Sequence, residues 1–344
     1  MTKPVFAKAI GAALAVALAW AQMPSAATAQ GKREVSALPA AFAETVTGPR
    51  LAQFSAAFDK QAAAWDAGCE STGGLREAFN EASDAWARME MFTSGPLSRK
   101  NRRERISHWP DPRNAVARVL KTLLEGEGEA GLEPEQIAGA SIAVQGLPAL
   151  ERLLFPDNDT KDAAGALPQR ACAVGNAIAR NLQTIAADAL AEWSAPETGD
   201  LARTRAVRMS PAKAGEAASA VLGDIATGLR ILEDRKIPPL FGGKGAAPNE
   251  KAAEGWRSHR SERNLLLNVE TLQSALQAIE PFAPEACAAA LAKLADAAAA
   301  LAQPGDPNRG AAVIAAINNA RYYAVDVLPG ELGVALGFNS LDGD

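Results

Sequence analysis

An all-α fold of two helical-bundle domains is expected, and three features of the sequence predict it. Alanine, the strongest helix former, recurs along nearly every long segment. Apolar residues repeat at helical spacing over stretches of about 18 to 26 residues. Aromatics make up only 5% of the chain, and the β-branched runs that would mark strands are few.

The first 29 residues read as a secretory signal peptide. Lys3 and Lys8 give a basic start, residues 10–20 are apolar, and Ala27-Thr28-Ala29 suits cleavage. Cleavage after Ala29 leaves 344 − 29 = 315 residues. The leader holds two of the 35 basic residues and none of the 40 acidic ones, so the mature charge is 33 − 40 = −7. That sign argues against nucleic acid and suits a soluble protein of the periplasm or the medium. No second stretch of about 18 apolar residues follows, so no transmembrane helix is expected. No cysteine stands just after the leader, so no lipid anchor is expected either.

A loose tail over residues 30–40 should lead into a helix over 42–67, with Leu51, Phe54, Phe58, Ala62 and Trp65 on one face. Residues 68–74 break it. A second helix over 75–92 carries Phe79, Ala82, Trp86 and Met89, and the two should pair antiparallel. Residues 100–105, KNRRER, read as a solvated face or an anion-facing patch. The prolines around Trp109 make an ordered turn, and Asp111 or Asn114 caps the helix that runs to Leu124. After an acidic loop and a short helix near 148–155 comes a long helix over 169–193. SAPETGD, residues 194–200, reads as a linker. The domains are therefore expected at 30–195 and 196–344.

The second half should hold helices over 211–236, 261–279, 284–301 and 311–327, the last ending before Pro329. Residues 237–249, rich in proline and glycine, read as a loop. The three cysteines are an odd number, so at least one thiol is free or paired outside the chain. Cys172 and Cys287 lie in alanine-rich helical sequence and read as buried hydrophobes, with Cys69 the most exposed. Whether any two of them form a disulfide stays open.

The organising stretch is residues 143–155, AVQGLPALERLLF. Pro148 fits a first helical position, and Leu150, Leu153 and Leu154 mark a buried stripe. Glu151 shares that face with Leu147 and Leu154. A carboxylate among leucines needs a partner, a ligand or a raised pKa, unless it is exposed after all. We expect it buried near the junction of the bundles, held by Arg113, Arg257 or backbone donors.

The same stretch resembles the signature of imelysin-like proteins, the M75 peptidase-like family, which read G-x-H-x-x-E before an apolar run. Gly146 and Glu151 match, and Pro148 stands where the family has histidine. Further patches resemble the family in consistent order: Arg105, Ile106, Trp109, Pro110 and Arg113; then Trp256, Arg257, Ser258, Ser261, Asn264 and Asn268; then the close at Leu336-Gly337-Phe338-Asn339 and Asp342-Gly343-Asp344. The resemblance implies an all-helical exported protein of two bundles, associated with iron uptake, with its signature near their interface.

Little standard catalytic equipment is present. There is no H-E-x-x-H, and the two histidines, His108 and His259, sit in separate turns. A metal site from His108, His259 and Glu151 would need three distant segments to converge. Proline ligates nothing, so no tight metal is expected, and catalysis is less expected than binding. The expected function is a periplasmic binding or accessory protein linked to iron uptake. Its groove would be lined by Glu151, Trp109, Arg113, His108, Trp256, Arg257, Ser258 and Asn264. The partner would be an iron-related or other small ligand. The alternatives are a metallopeptidase with an altered site, or a scaffold binding another envelope protein.

Overall fold

The computed structural model describes residues 34–126, 131–156, 165–207, 211–243 and 247–336. The signal peptide and the closing patch from Gly337 onward lie outside the described residues. The described residues are mostly helical, with no β-strand among them, as alanine content and 3.6-residue periodicity require.

The chain enters through Leu38–Phe42 (α1), widens into a π-helical turn over Ala43–Thr47, and runs on as Gly48–Asp66 (α2). The expected loose tail is thus helical from Leu38. Pro39 sits in the first turn, where its missing N–H is no loss. Next come Thr72–Met89 (α3), Arg102–Ile106 (α4) and Ala115–Leu124 (α5). Of the two cap candidates, Asp111 does the capping: its carboxylate accepts from Ala115 N at 2.7 Å and Val116 N at 3.0 Å. Pro134–Gly139 (α6) and Leu147–Leu154 (α7) lead to the long Gln169–Ser194 (α8).

Asp200–Val207 (α9) and Pro211–Ile231 (α10) follow. A second π-helical turn over Leu232–Lys236 joins α10 to Ile237–Phe241 (α11). The first residues of the expected loop are therefore helical, because Pro238 and Pro239 fall in a first turn that requires no donor. Ser261–Ile279 (α12), Pro284–Leu301 (α13) and Arg309–Arg321 (α14) complete the long helices. A third π-helical turn over Tyr322–Val327 opens into Leu328–Leu332 (α15). Pro329 therefore does not end the helical path.

α2 packs on α3 and α8, while α12, α13 and α14 pack in sequence; α3 against α12 joins the two groups. α1 leaves its own neighbours and packs on α9, α10 and α12. Trp65 is buried where α2 crosses α8, and Gly175 makes the crossing possible. A Cβ there would lie 2.0 Å from the Trp65 ring.

Within the basic run Arg102 and Arg103 act as an internal clamp, while Lys100, Asn101 and Glu104 stay exposed. Arg102 is 1% exposed and meets Glu192 of α8 with both nitrogens, at 2.6 and 2.9 Å. Arg99 and Lys100 reach the same carboxylate. Hydrogen bonding from Arg102 holds the Glu192 carboxyl well below the usual carboxylate range. Arg103 donates to the carbonyls of Phe92 and Glu90, at 2.7 and 2.6 Å.

A disulfide links Cys69 to Cys172 across 103 residues, tying the turn after α2 to the start of α8. Cys69 is buried, not the most exposed of the three, and Cys172 is its partner instead of a plain buried hydrophobe. Cys287 is free and buried, and burial pushes its thiol up to about 12.

Candidate functional site

Gly146 fixes where the signature helix lies. A Cβ on it would fall 2.2 Å from the Ile106 carbonyl oxygen and 2.4 Å from that of Arg105. Only glycine lets these two backbones cross so closely. The crossing seats α7 against the turn that follows α4, with Pro148 in its first turn.

Glu151 is 7% exposed. Its Oε1 accepts from the Ser258 backbone N–H at 3.0 Å and from the Ser258 hydroxyl at 2.6 Å. Ser258 comes from a tight turn in which Gly255 has φ of 68°. Burial pushes the Glu151 carboxyl above its ordinary value. The two Ser258 bonds and the charge of Arg257 oppose that shift, and Glu254 adds to it. Of the holders expected, a backbone donor is present at Ser258, joined by the Ser258 hydroxyl, and Arg257 lends its charge.

A cavity of about 200 Å³ opens beside Glu151. His108 and Trp109 line it from one turn, Pro148 and Glu151 from α7, and Trp256 and Arg257 from the turn before α12. Both tryptophan turns therefore face one space. Arg257 lies over the Trp256 ring at 4.1 Å, and Trp109 Nε1 donates to the Ala252 carbonyl at 3.1 Å. Ser258 and Asn264 line a smaller cavity of about 30 Å³ that also borders Glu151. Arg113 is exposed and is not among the residues lining either cavity. His259 is also exposed, in a residue with φ of 55°.

Next to the cavity lies a charged cluster that the sequence reading missed. Lys236 is buried, with Nζ donating to Glu254 Oε2 at 2.6 Å and to Glu90 Oε1. Asn268 donates to Glu90 at 2.9 Å, and Ser107 donates to Glu254 at 3.1 Å. The Lys236 ammonium also sits over the Trp109 ring at 5.8 Å. Burial opposes the charge on Lys236, but Glu254 and Glu90 outweigh it and raise its pKa. At Glu90 burial wins, reinforced by Glu254, and holds the carboxyl up at about 7. The only signals in the sequence were the family-like Asn268 and the clustering of prolines after Lys236.

This cluster sets a pH dependence. Glu90 binds its proton more tightly folded than unfolded, rising from 4.5 to about 7. Its contribution to stability is thus fully present below 4.5 and lost as pH rises through about 7. Glu90→Gln should flatten the decline over that window. Glu151, shifted in the same direction, should leave a residual slope. Urea midpoints collected across the window test this, and a variant slope equal to the wild-type slope would refute it.

The family model for imelysin (peptidase M75) matches residues 48–324. The chain belongs to the imelysin family. An imelysin-like protein from Psychrobacter arcticum has a crystal structure that superposes with a TM-score of 0.71 at 20% identity, covering 88% of this chain and 97% of that one. A protein from Parabacteroides distasonis, named as an iron-regulated protein A precursor, gives 0.64 at 16% identity, covering 88% and 95%. At these identities the likeness speaks for the fold. No curated protein matches the chain.

This imelysin family member does not offer the donors that a metal at its signature would need. Pro148 occupies the histidine position and lines the cavity without a ligating atom. Glu151 Oε1 is already engaged twice by Ser258. Among the described residues no three His, Cys, Asp or Glu side chains come together as a metal-holding group. The donor set therefore fits no metal here, and no chemistry is derived through one.

Proposed function

We propose that this imelysin family member is an exported binding or accessory protein linked to iron uptake. It acts in the periplasm or medium after cleavage near Ala29. In this reading its bundles, 30–195 and 196–344, hold a small ligand in the groove at Glu151, without turnover. The observation that carries the reading is a buried carboxylate facing a cavity walled by two tryptophan turns, one of which carries Arg257 over its own ring. Such a wall offers stacking, donors and a protonatable acid, which suits recognition of a small polar molecule. The iron link draws on the name of the Parabacteroides distasonis protein. Among the described residues no helix is long and apolar enough to cross a membrane, which suits an exported chain.

The test is metal and small-molecule analysis of protein purified without chelator from its native compartment. The expected result is well under one equivalent of metal, and a small molecule that is lost in Glu151→Ala. The same variant should lose about 1–3 kcal/mol of stability, because the Ser258 backbone N–H loses its acceptor and the hydroxyl keeps only the Gly255 carbonyl at 3.2 Å. A stoichiometric metal that disappears with Glu151→Ala would favour the peptidase reading instead. Recovery of neither metal nor small molecule would favour the scaffold.

A further inference from the structure

On another face, α2, α3 and α12 border a groove that the Glu151 site does not use. One part, about 630 Å³, is lined by Thr45, Val46 and Arg50 near the first π-helical turn, by Arg88 of α3, and by Ser274 and Gln277 of α12. An adjoining part of about 350 Å³ shares Arg50, Gln53 and Arg88. π-helical turns are rare and often mark functional sites.

Arg50 sets this groove apart. The chain has 40 acidic residues against 35 basic ones, yet among the described residues no carboxylate comes within ion-pair distance of Arg50. The nearby acids are engaged elsewhere: Glu44 by Arg205, Glu81 by Lys60, Asp84 by Arg260 and Arg263, and Glu270 by Arg88. Arg50 lies over the Phe92 ring at 5.8 Å. Its nearest electrostatic neighbour is a like charge: burial, and then Arg88, lower its pKa. Arg88 gives one nitrogen to Glu270 at 3.0 Å and has others to spare.

Two arginines, one of them without an ion-pair partner and half-buried, stand here beside the amide side chains of Gln53 and Gln277, while the hydroxyls of Thr45 and Ser274 donate to carbonyls of their own helical segments. We propose that this groove is an oxyanion-binding site in which Arg50 and Arg88 together receive the phosphate or carboxylate of a small polar molecule. A planar guanidinium meets either group with two parallel hydrogen bonds. The bound charge would also relieve the repulsion between the arginines. The volume suits a small organic anion.

The experiment uses the full mature chain and follows its melting temperature with added inorganic phosphate or citrate, against sodium chloride at equal ionic strength. Saturable stabilisation is expected, since a ligand of the folded state raises the melting point. Arg50→Gln should weaken the apparent affinity about tenfold or more, and Arg50→Lys should fall between, because it keeps charge but loses the fork. Glu151→Gln, at the other cavity, should leave the anion effect intact. Response to phosphate alone or citrate alone supports the site and names its preferred group. No response to either anion overturns the proposal. So does a response that persists in Arg50→Gln, or one abolished by Glu151→Gln.

Discussion

Lys236→Met is expected to destabilise the protein by about 3–5 kcal/mol at neutral pH and above. The ammonium is the cation shared by Glu90 and Glu254, and all three groups are largely withdrawn from solvent. Methionine matches the length of the stem but leaves two carboxylates facing each other in a dry site. Their simplest relief is a proton. Glu90 already holds one up to about 7, and without Lys236 it should hold it higher still. The penalty should therefore shrink as pH falls, because a protonated Glu90 needs no counter-charge. Urea unfolding at about pH 5 and about pH 8 separates the cases. Equal losses at both values would mean that packing, not charge, explains the effect. No loss at either would mean that the cluster carries no stability.

Removing the Cys69–Cys172 disulfide should cost about 4–5 kcal/mol. A cross-link spanning 103 residues removes much of the freedom of the unfolded chain, and the effect grows with the length of the loop. Cys69→Ala with Cys172→Ala is the cleaner test, because it removes the bridge without a reductant, whose access to a buried disulfide varies with the fold. The variant should melt lower and unfold at lower urea, yet keep its helical circular dichroism, since α2 and α8 still pack through Trp65. Cys287, with its thiol pushed up to about 12, should stay inert to thiol reagents until the fold opens. A variant with the wild-type midpoint would exclude a structural role for the bridge.

The helical fold was legible because its cause is local. Leu51, Phe54, Phe58 and Trp65 fall on one face by spacing alone, and all are buried. Glu151 was legible for the same reason, as the one acid on a leucine face. Its partner was not, because nothing local says which distant turn will meet it; Ser258 does so across 107 residues. The Glu90–Lys236–Glu254 cluster was hidden because each residue, read alone, is a helix or turn charge of the kind usually left in water. The basic run misled for the same reason: Arg102 lies on a five-residue helix too short to show a periodic face. Proline misled differently. At residues 238 and 329 it has the local look of a stop, yet there it starts the next helical segment.

The three π-helical turns among the described residues share a grammar: each hands over to a segment with proline in its first turn, at Pro49, at Pro238 and Pro239, and at Pro329. A wide turn holds one more residue than an α-turn, and one residue is about 100° of rotation. Each handover therefore re-aims the side chains that follow it. The rod from Leu38 to Asp66 is the clearest case. Its short end is addressed to α9, α10 and α12, and its long end to α3 and α8. It behaves less like a wall of one bundle than like a keyed shaft fitted into two sockets. Twisting it at one end would register at the other, and Arg50 sits just past the key.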